Sequence, residues 1–398
     1  MRPREVGAIC CTAALLVAVG CAAGSNTSTK IAPTTGPSGA APTVTSVAAD
    51  VRQGLLDHKR ESYGAPGALA VVRDGDDEWN LMSGEADLAG GKLTDTTRFR
   101  IASITKPIVA ALVLDAVARE ELTLDDTVSE LVPGVVRTDQ PITVRMLLDH
   151  TSGVFNAGDE GDIVADIDKL TDPALREEAL ALATRYLAGE RVIASDRLWV
   201  ALAETHERYF EPGAGYHYSN VNYHLAAMVL EAVTGTPLAV LLRDRLVEPL
   251  GLRRTTLAPA DLAPPELHGY TTGAADGPLV DITDELLALG NGGSGGVIST
   301  ADELLTVMQA IVSGRLLPAP LVAEMSRATQ QSGESYGLGL ATYYLSCGTF
   351  LGHEGSIAGT VSIAIVTPDG DGGVVIALNR RDESDPHLPA LADSFLCA

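Results

Sequence analysis

The sequence predicts a mixed α/β (α+β) fold: one antiparallel sheet built from both ends of the chain and flanked by helices, plus a mostly helical lobe between. Three observations carry this expectation. Strand-like runs joined by tight turns cluster at 67–87 and again at 336–379. The intervening stretch, 120–330, reads mainly as helix and loop. Each strand group is bordered by a terminal segment with helical spacing, so two helices are available to cover one face of a shared sheet.

The elements follow in order. The folded domain is expected over 46–398, with the sheet drawn from 46–100 and 335–398. Val47, Val51 and Leu55 recur every fourth residue, which predicts a helix from Val47 to Tyr63. GALAVVRDG (67–75) and EWNLMSGEAD (78–87) read as two strands turning at Asp74-Gly75-Asp76. In RFRIASITKPIVAALV (98–113) and just beyond, Ile104, Ile108, Ala111, Leu112, Leu114 and Val117 form a helix face. HLAAMVLEAVTG (224–235) is a helix ended by a glycine. STADELLTVMQAIVSG (299–314) opens with a Ser/Thr cap and places Glu303 in its first turn. YGLGLATYYL, TFLGHEG, GTVSIAIVTP and GGVVIALN are strand-like runs separated by turns such as Pro368-Asp369-Gly370. A last helix, His387 to Leu396, closes the chain.

The N-terminus carries a different message. MRPREVGAICCTAALLVAVGC has a basic start and an apolar run from Val6 to Gly20, then a cysteine. That run is too short for a membrane span and reads as an export signal over 1–20. Ala18-Val19-Gly20-Cys21 resembles a lipobox, in which Cys21 is acylated; cleavage of an ordinary signal after Ala22 or Ala23 is the alternative. The Ser/Thr/Pro-rich segment 21–45 suits a flexible tether. The expectation is a lipoprotein anchored to the outer face of the cell membrane. Of the five cysteines, Cys347 and Cys397 alone then remain in the exported domain. A disulfide tying the last helix to a C-terminal strand is expected, against the alternative of two buried free thiols. The formal net charge of −24 repels a phosphate backbone and disfavours nucleic-acid binding.

Several catalytic motifs fail on context. GGSGG at 292–296 has the Gly-x-Ser-x-Gly pattern, but the stretch before it looks like a helix end where a nucleophile elbow needs a strand. A glycine loop is the better reading. His353-Glu354 lacks the second histidine of a zinc helix, since Ile stands at 357. Histidines and cysteines show no ligand spacing, and no phosphate loop ending in Gly-Lys-Ser/Thr exists, so no metal or cofactor is expected.

Ser103-x-x-Lys106 survives. A serine hydroxyl needs a neighbouring base before it attacks, and three residues along a helix set both side chains on one face. Lysine suits the task because a desolvated ammonium can release a proton and a guanidinium cannot. The chain has only five lysines and places one here. A helix start at Ser103 adds free N–H groups for a developing oxyanion, and Pro107 is tolerated in that first turn. The alternative is a buried serine and an idle lysine. A second constellation is Tyr218-x-Asn220, a phenol and an amide after a glycine-rich loop, unless Asn220 only caps the next helix. A third is His353-Glu354-Gly355-Ser356, unless His353 is merely a satisfied strand histidine.

In the order Ser-x-x-Lys, Tyr-x-Asn, His-x-Gly, these motifs resemble the serine β-lactamase and penicillin-binding superfamily. The likeness is to the branch with class C β-lactamases, D-Ala-D-Ala carboxypeptidases and related esterases. MLLDHTSG (146–153), YSNVNYHLAAMVLEAVTG, EPLGL and GGVISTADEL are further family-like stretches in the right order, and the likeness spans most of 50–395. The resemblance implies a β-lactamase/transpeptidase-like fold and an acyl-enzyme on Ser103. Lys106 and Tyr218 would move the proton, with Asn220, His353 and Gly355 binding substrate. The backbone N–H groups of Ser103 and Ser356 would form the oxyanion hole. The implied substrate is a small molecule or a peptidoglycan-type peptide or ester. No lysine follows Lys169, so the Lys-Thr-Gly motif of many β-lactamases is absent and His353-Glu354-Gly355 takes its place. Weak or no β-lactamase activity is therefore expected, with a carboxypeptidase-like or esterase-like hydrolase preferred. A class C-like β-lactamase and a non-catalytic envelope lipoprotein that binds cell-wall fragments or a protein partner are the alternatives. Segment 156–210 has no family-like match and is the expected seat of specificity.

Overall fold

A tight hairpin starts the sheet. The structure, a computed structural model, describes residues 47–137, 140–158, 160, 163–187, 194–257, 266–272, 277–283, 292–381 and 387–397. The expected signal, Cys10, Cys11, Cys21 and the tether lie outside the described residues. After α1 (Ala49–Tyr63), β1 (Gly67–Asp74) and β2 (Asp77–Gly84) pair antiparallel with Asp74 opposite Asp77. Gly75 makes the turn with φ 58°, a conformation that glycine adopts without a steric penalty. Four strands from the other end of the chain complete the sheet: β3 (Ala341–Leu345), β4 (Gly348–Ile357), β5 (Thr360–Val366) and β6 (Gly372–Leu378). The order is β2-β1-β6-β5-β4-β3, every pairing antiparallel. The two chain ends meet at β1 and β6, where Ala68 opposes Leu378 and Asp74 opposes Gly372.

Both faces of this sheet are covered, so the central strands are buried along nearly their whole length and mostly apolar. Ala68, Ala70 and Val72 of β1 join Ile363, Ile365, Val374 and Ile376 in an outer core with α1 and the C-terminal helix. Leu69 and Val71 point the other way, into a larger core shared with the helical lobe. The terminal helix α6 (Leu388–Leu396) packs on α1, and Arg52 Nε donates to Phe395 O at 3.1 Å. A disulfide joins Cys347, in the β3–β4 turn, to Cys397 just past α6.

Four helices of the lobe position the site: α2 (Thr105–Ala118), α3 (Asp196–Ala203), α4 (Val221–Thr234) and α5 (Ala301–Val312). In α2 every residue from Thr105 to Leu114 is buried, the pattern of a helix enclosed on all sides. Each of its fully buried Ile, Val and Leu side chains contributes roughly 1.5–3 kcal/mol. The start of α2 is thereby fixed in place. Gly235 ends α4 with φ 63°, and Thr300 caps α5 by accepting from Glu303 N.

The middle also holds strands that periodicity did not reveal. Phe99–Arg100, Val297–Ser299 and Thr256–Leu257 form a small antiparallel sheet, and Tyr270–Thr272 pairs with Leu279–Asp281. Strands of two or three residues are too short to show a period-2 pattern. The YGLGLATYYL run enters the sheet only from Ala341. Gly339, at φ 83°, packs where a Cβ would crowd Ala110 Cβ at 2.6 Å, and the chain bends there so that Tyr336 folds back to bridge Ala341.

Candidate active site

Ser103 lies in a single 3-10 turn, Ala102–Ile104, immediately before α2. The preceding Ala102 takes φ 48°, a left-handed conformation that costs a non-glycine residue about 1 kcal/mol or more and persists only where its surroundings enforce it. The turn is stitched down by Ile104 N to Ile101 O (3.1 Å) and by Val297 N to Thr105 Oγ1 (3.1 Å). Ser103 is the half-exposed residue of this otherwise buried stretch.

Lys106 is fully buried one turn on, its Nζ 3.0 Å from Ser103 Oγ, 2.7 Å from Asn220 Oδ1 and 2.9 Å from Ser294 O. The amide and peptide oxygens can only accept, so each takes an N–H. The contact to Ser103 can run either way: an ammonium donates to Oγ, and a neutral amine accepts the serine proton. The arrangement accommodates both states without moving a heavy atom. Asn220 stands at the N-cap of α4 yet makes no capping bond; its side chain faces Lys106, and its N–H donates to Asn156 Oδ1 at 2.9 Å.

Tyr218 presents its ring 4.9 Å from Lys106 Nζ and stacks on His150 at 4.3 Å between centroids. His150, in the MLLDHTSG segment, is fully buried with φ 60°. Its Nδ1 accepts from Ser219 N (3.2 Å) and from Asn222 Nδ2 (3.1 Å), and Asn222 is oriented by Ser152 Oγ at 2.5 Å. Burial, Lys106 and the neighbouring histidines hold its pKa well below the usual value, so the ring is a neutral floor beneath Tyr218.

The third motif sits on the sheet edge. β3 pairs with β4 only as far as Gly352, and the remainder of β4 packs along the nucleophile turn. A Cβ on Gly355 would collide with Ile101 O and Ser362 Oγ, so glycine permits the close approach of β4 to the nucleophile turn. His353 is buried, with Nδ1 2.5 Å from Glu354 O and Nε2 3.1 Å from Tyr336 Oη. A carbonyl only accepts, so Nδ1 carries the proton and Nε2 takes the Tyr336 hydroxyl. Burial, with Lys106 nearby, pushes the His353 pKa down to about 3. His353 is a neutral, hydrogen-bonded residue at neutral pH.

The structure therefore brings Ser103, Lys106, Tyr218, Asn220, His353 and Gly355 together, with Ser356 next along β4. It adds residues that the sequence did not single out. Tyr336 lay inside an apparent strand, and Asn156 inside the unmatched segment. Ser294 belongs to the GGSGG run, which forms a helical turn (Gly292–Gly295) rather than a loop, with Ser294 1% exposed. Its contribution to Lys106 is a backbone oxygen, for which no side-chain signal exists. Among the described residues no group of three or more His, Cys, Asp or Glu is arranged to hold a metal.

Known proteins share this framework. Residues 52–395 match the family described as Beta-lactamase. The esterase EstB of Burkholderia gladioli is 30% identical over 70% of this chain and 74% of its own length. A D-aminopeptidase of Brucella anthropi is 28% identical over 77% of the chain, which spans only 55% of that longer protein. The crystal structure of a D-stereospecific amidohydrolase from Streptomyces sp. superposes with a TM-score of 0.72 at 32% identity, covering 88% of this chain and 99% of that one. With that coverage around a Ser-Lys-Tyr-Asn cluster, the chain belongs to the beta-lactamase family of serine hydrolases.

Proposed function

We propose that this chain hydrolyses amides or esters of D-amino acids or short D-residue peptides through a Ser103 acyl-enzyme, outside the cytoplasm, with weak or no β-lactamase activity. The observation that carries the reading is Lys106 Nζ set 3.0 Å from Ser103 Oγ while Asn220 and Ser294 hold its other N–H groups. Ser103 Oγ bonds to the substrate carbonyl carbon as its proton passes to Lys106, with Tyr218 alongside to relay it. The carbonyl oxygen becomes an oxyanion facing the N–H groups of Ser103 and Ser356. The C–N or C–O bond breaks as the leaving group takes the proton. Water then adds to the acyl-enzyme, giving the acid and restoring the Ser103 hydroxyl.

The choice among substrates follows from charge. A β-lactam or a carboxypeptidase substrate offers a carboxylate, and at the place of the Lys-Thr-Gly lysine this chain has a neutral His353. A substrate without that carboxylate, an amide or an ester, fits the site better. The names of the relatives, an esterase, a D-aminopeptidase and a D-stereospecific amidohydrolase, support the same choice. The test is labelling by a fluorophosphonate, followed by turnover of D- and L-amino-acid amides, a blocked D-Ala-D-Ala peptide, a short-chain nitrophenyl ester and a chromogenic cephalosporin. The proposal expects labelling that Ser103→Ala abolishes and D-amide or ester turnover well above that of the L-amides, the D-Ala-D-Ala peptide and the cephalosporin. Absence of Ser103-dependent labelling, or efficient cephalosporin turnover, overturns it.

Membrane attachment is proposed from Ala18-Val19-Gly20-Cys21 alone. Incorporation of a radioactive fatty acid that Cys21→Ala does not reduce would reject it.

A further inference from the structure

The acceptor at Ser294 is held by a buried side-chain array of its own. His224, on α4, places Nδ1 2.5 Å from Asp196 Oδ1 and Nε2 3.3 Å from Ser294 Oγ. His224 and Ser294 are 2% and 1% exposed, so this is not a second nucleophile open to substrate. The carboxylate can only accept, so Nδ1 carries a proton, and in the neutral ring Nε2 then accepts from the Ser294 hydroxyl. The Gly292–Gly295 turn is seated against the same groups. A Cβ on Gly292 would collide with Asp196 Oδ1, and one on Gly293 would lie 2.5 Å from Tyr223 O. The turn is glycine-built because it is clamped between α3 and α4.

We propose that Asp196, His224 and the Ser294 hydroxyl form a positioning relay that aims the Ser294 carbonyl at Lys106, so that helix α3 sets the orientation of the lysine at Ser103. Rotation of Ser294 about its backbone would swing the carbonyl away and leave one Lys106 N–H without its acceptor. The Nζ would then turn from Ser103 while the substrate-facing groups stay in place. The relay reaches into the segment expected to hold specificity: Trp199 of α3 stacks on His224 at 5.9 Å and lies under Gly158, whose Cβ would meet its ring at 3.4 Å. Contacts made by that segment are thus mechanically joined to the lysine through Asp196.

This rests on Ser103 and Lys106 acting as the acyl-transfer pair, so wild-type labelling at Ser103 is established first and its failure would refute that reading alone. Ser294→Ala, Asp196→Ala, Asp196→Asn and the Ser294→Ala/Asp196→Ala pair are then compared by kcat and KM. Active sites are counted by fluorophosphonate titration, so that misfolded protein is not mistaken for lost turnover. Per active site, Ser294→Ala and Asp196→Ala should each lower kcat roughly tenfold or more with KM within about threefold. The double variant should be no slower than the worse single one, because both break one relay. Asp196→Asn keeps an acceptor for His224 Nδ1 and should recover most of the loss. Wild-type kcat in both single variants, multiplicative losses in the double variant, or a rise in KM alone overturns the proposal. Should Asp196→Ala fail to fold, Ser294→Ala decides by its kcat and KM, since it deletes a single oxygen.

Discussion

The Tyr336 hydroxyl lies 3.1 Å from His353 Nε2 while Glu354 O takes the proton on Nδ1, so the neutral imidazole is hydrogen-bonded at both ring nitrogens. The resemblance put a histidine where β-lactamases carry a lysine, and a free histidine would be charged part of the time near neutral pH. Here desolvation and Lys106 push its pKa down to about 3, so it stays neutral. His353→Asn should therefore leave the shape of the kcat/KM profile unchanged between about pH 5 and about pH 8. Loss of an acid limb in that variant would show that His353 titrates in the working range.

Lys106 has no room for a larger cation. It is completely buried, with Tyr218 and Tyr223 rings 4.9 and 5.7 Å from Nζ. Lys106→Arg keeps the charge but cannot give up a proton, and its planar fork does not fit three convergent contacts. Turnover in Lys106→Arg should fall at least about a thousandfold, as far as in Lys106→Ala, with Ser103→Ala lower still. Retention of more than a tenth of wild-type kcat by Lys106→Arg would mean that charge, not proton transfer, is what the site takes from residue 106.

How far the sequence announced this site depends on which atoms do the work. The sheet was legible because β5 and β6 are rich in Val and Ile without a charged residue and β1–β2 turn at a Gly flanked by aspartates. Ser103 and Lys106 were legible because a three-residue spacing on a helix start fixes their proximity without knowledge of the rest of the chain. Asn220 read equally well as a cap, and only the packing of α4 against α2 shows its amide turned to Lys106. Ser294 gives a carbonyl, which every residue has. Tyr336 is aimed by the Gly337–Gly339 bend, whose close approach to α2 no local pattern encodes. Local spacing reports on neighbours along one element; convergence of α2, α4 and β4 is a property of tertiary packing.

Gly355 tests whether the approach of β4 to the nucleophile turn matters. A methyl group there would overlap Ile101 O, a backbone atom that cannot move without shifting Ala102 and Ser103. Gly355→Ala should destabilise the protein by about 1–3 kcal/mol, as overpacking does. Because the displaced atoms lead into Ser103, whose N–H is proposed to face the oxyanion, kcat should drop by more than the stability loss explains, roughly a hundredfold. Thermal unfolding together with kcat on the folded protein checks this. Full activity in a folded Gly355→Ala would show that the strand and the turn need not be this close.

Acid should loosen the fold through the same two histidines that shape the site. His150 and His353 are both buried, and both have pKa values depressed by burial and by Lys106. In the unfolded chain each titrates near about 6.5. Below that pH the unfolded state takes up protons that the folded state refuses, so stability falls as pH falls; above it the contribution is fully present. For His353 the window runs from about 6.5 down to its folded value of about 3. Over that span the loss is on the order of 4 to 5 kcal/mol, at roughly 1.4 kcal/mol per pH unit. Urea unfolding between about pH 7.5 and about pH 4.5 covers the upper two units of that window, where roughly 3 kcal/mol of the loss falls. Carboxylates also contribute to the slope, so the informative quantity is the difference between wild type and His353→Asn. The variant should unfold with close to one proton less uptake across the window. Identical slopes in the two proteins would mean that His353 is protonated in the folded state after all, and the neutral ring beside Tyr336 would have to be abandoned.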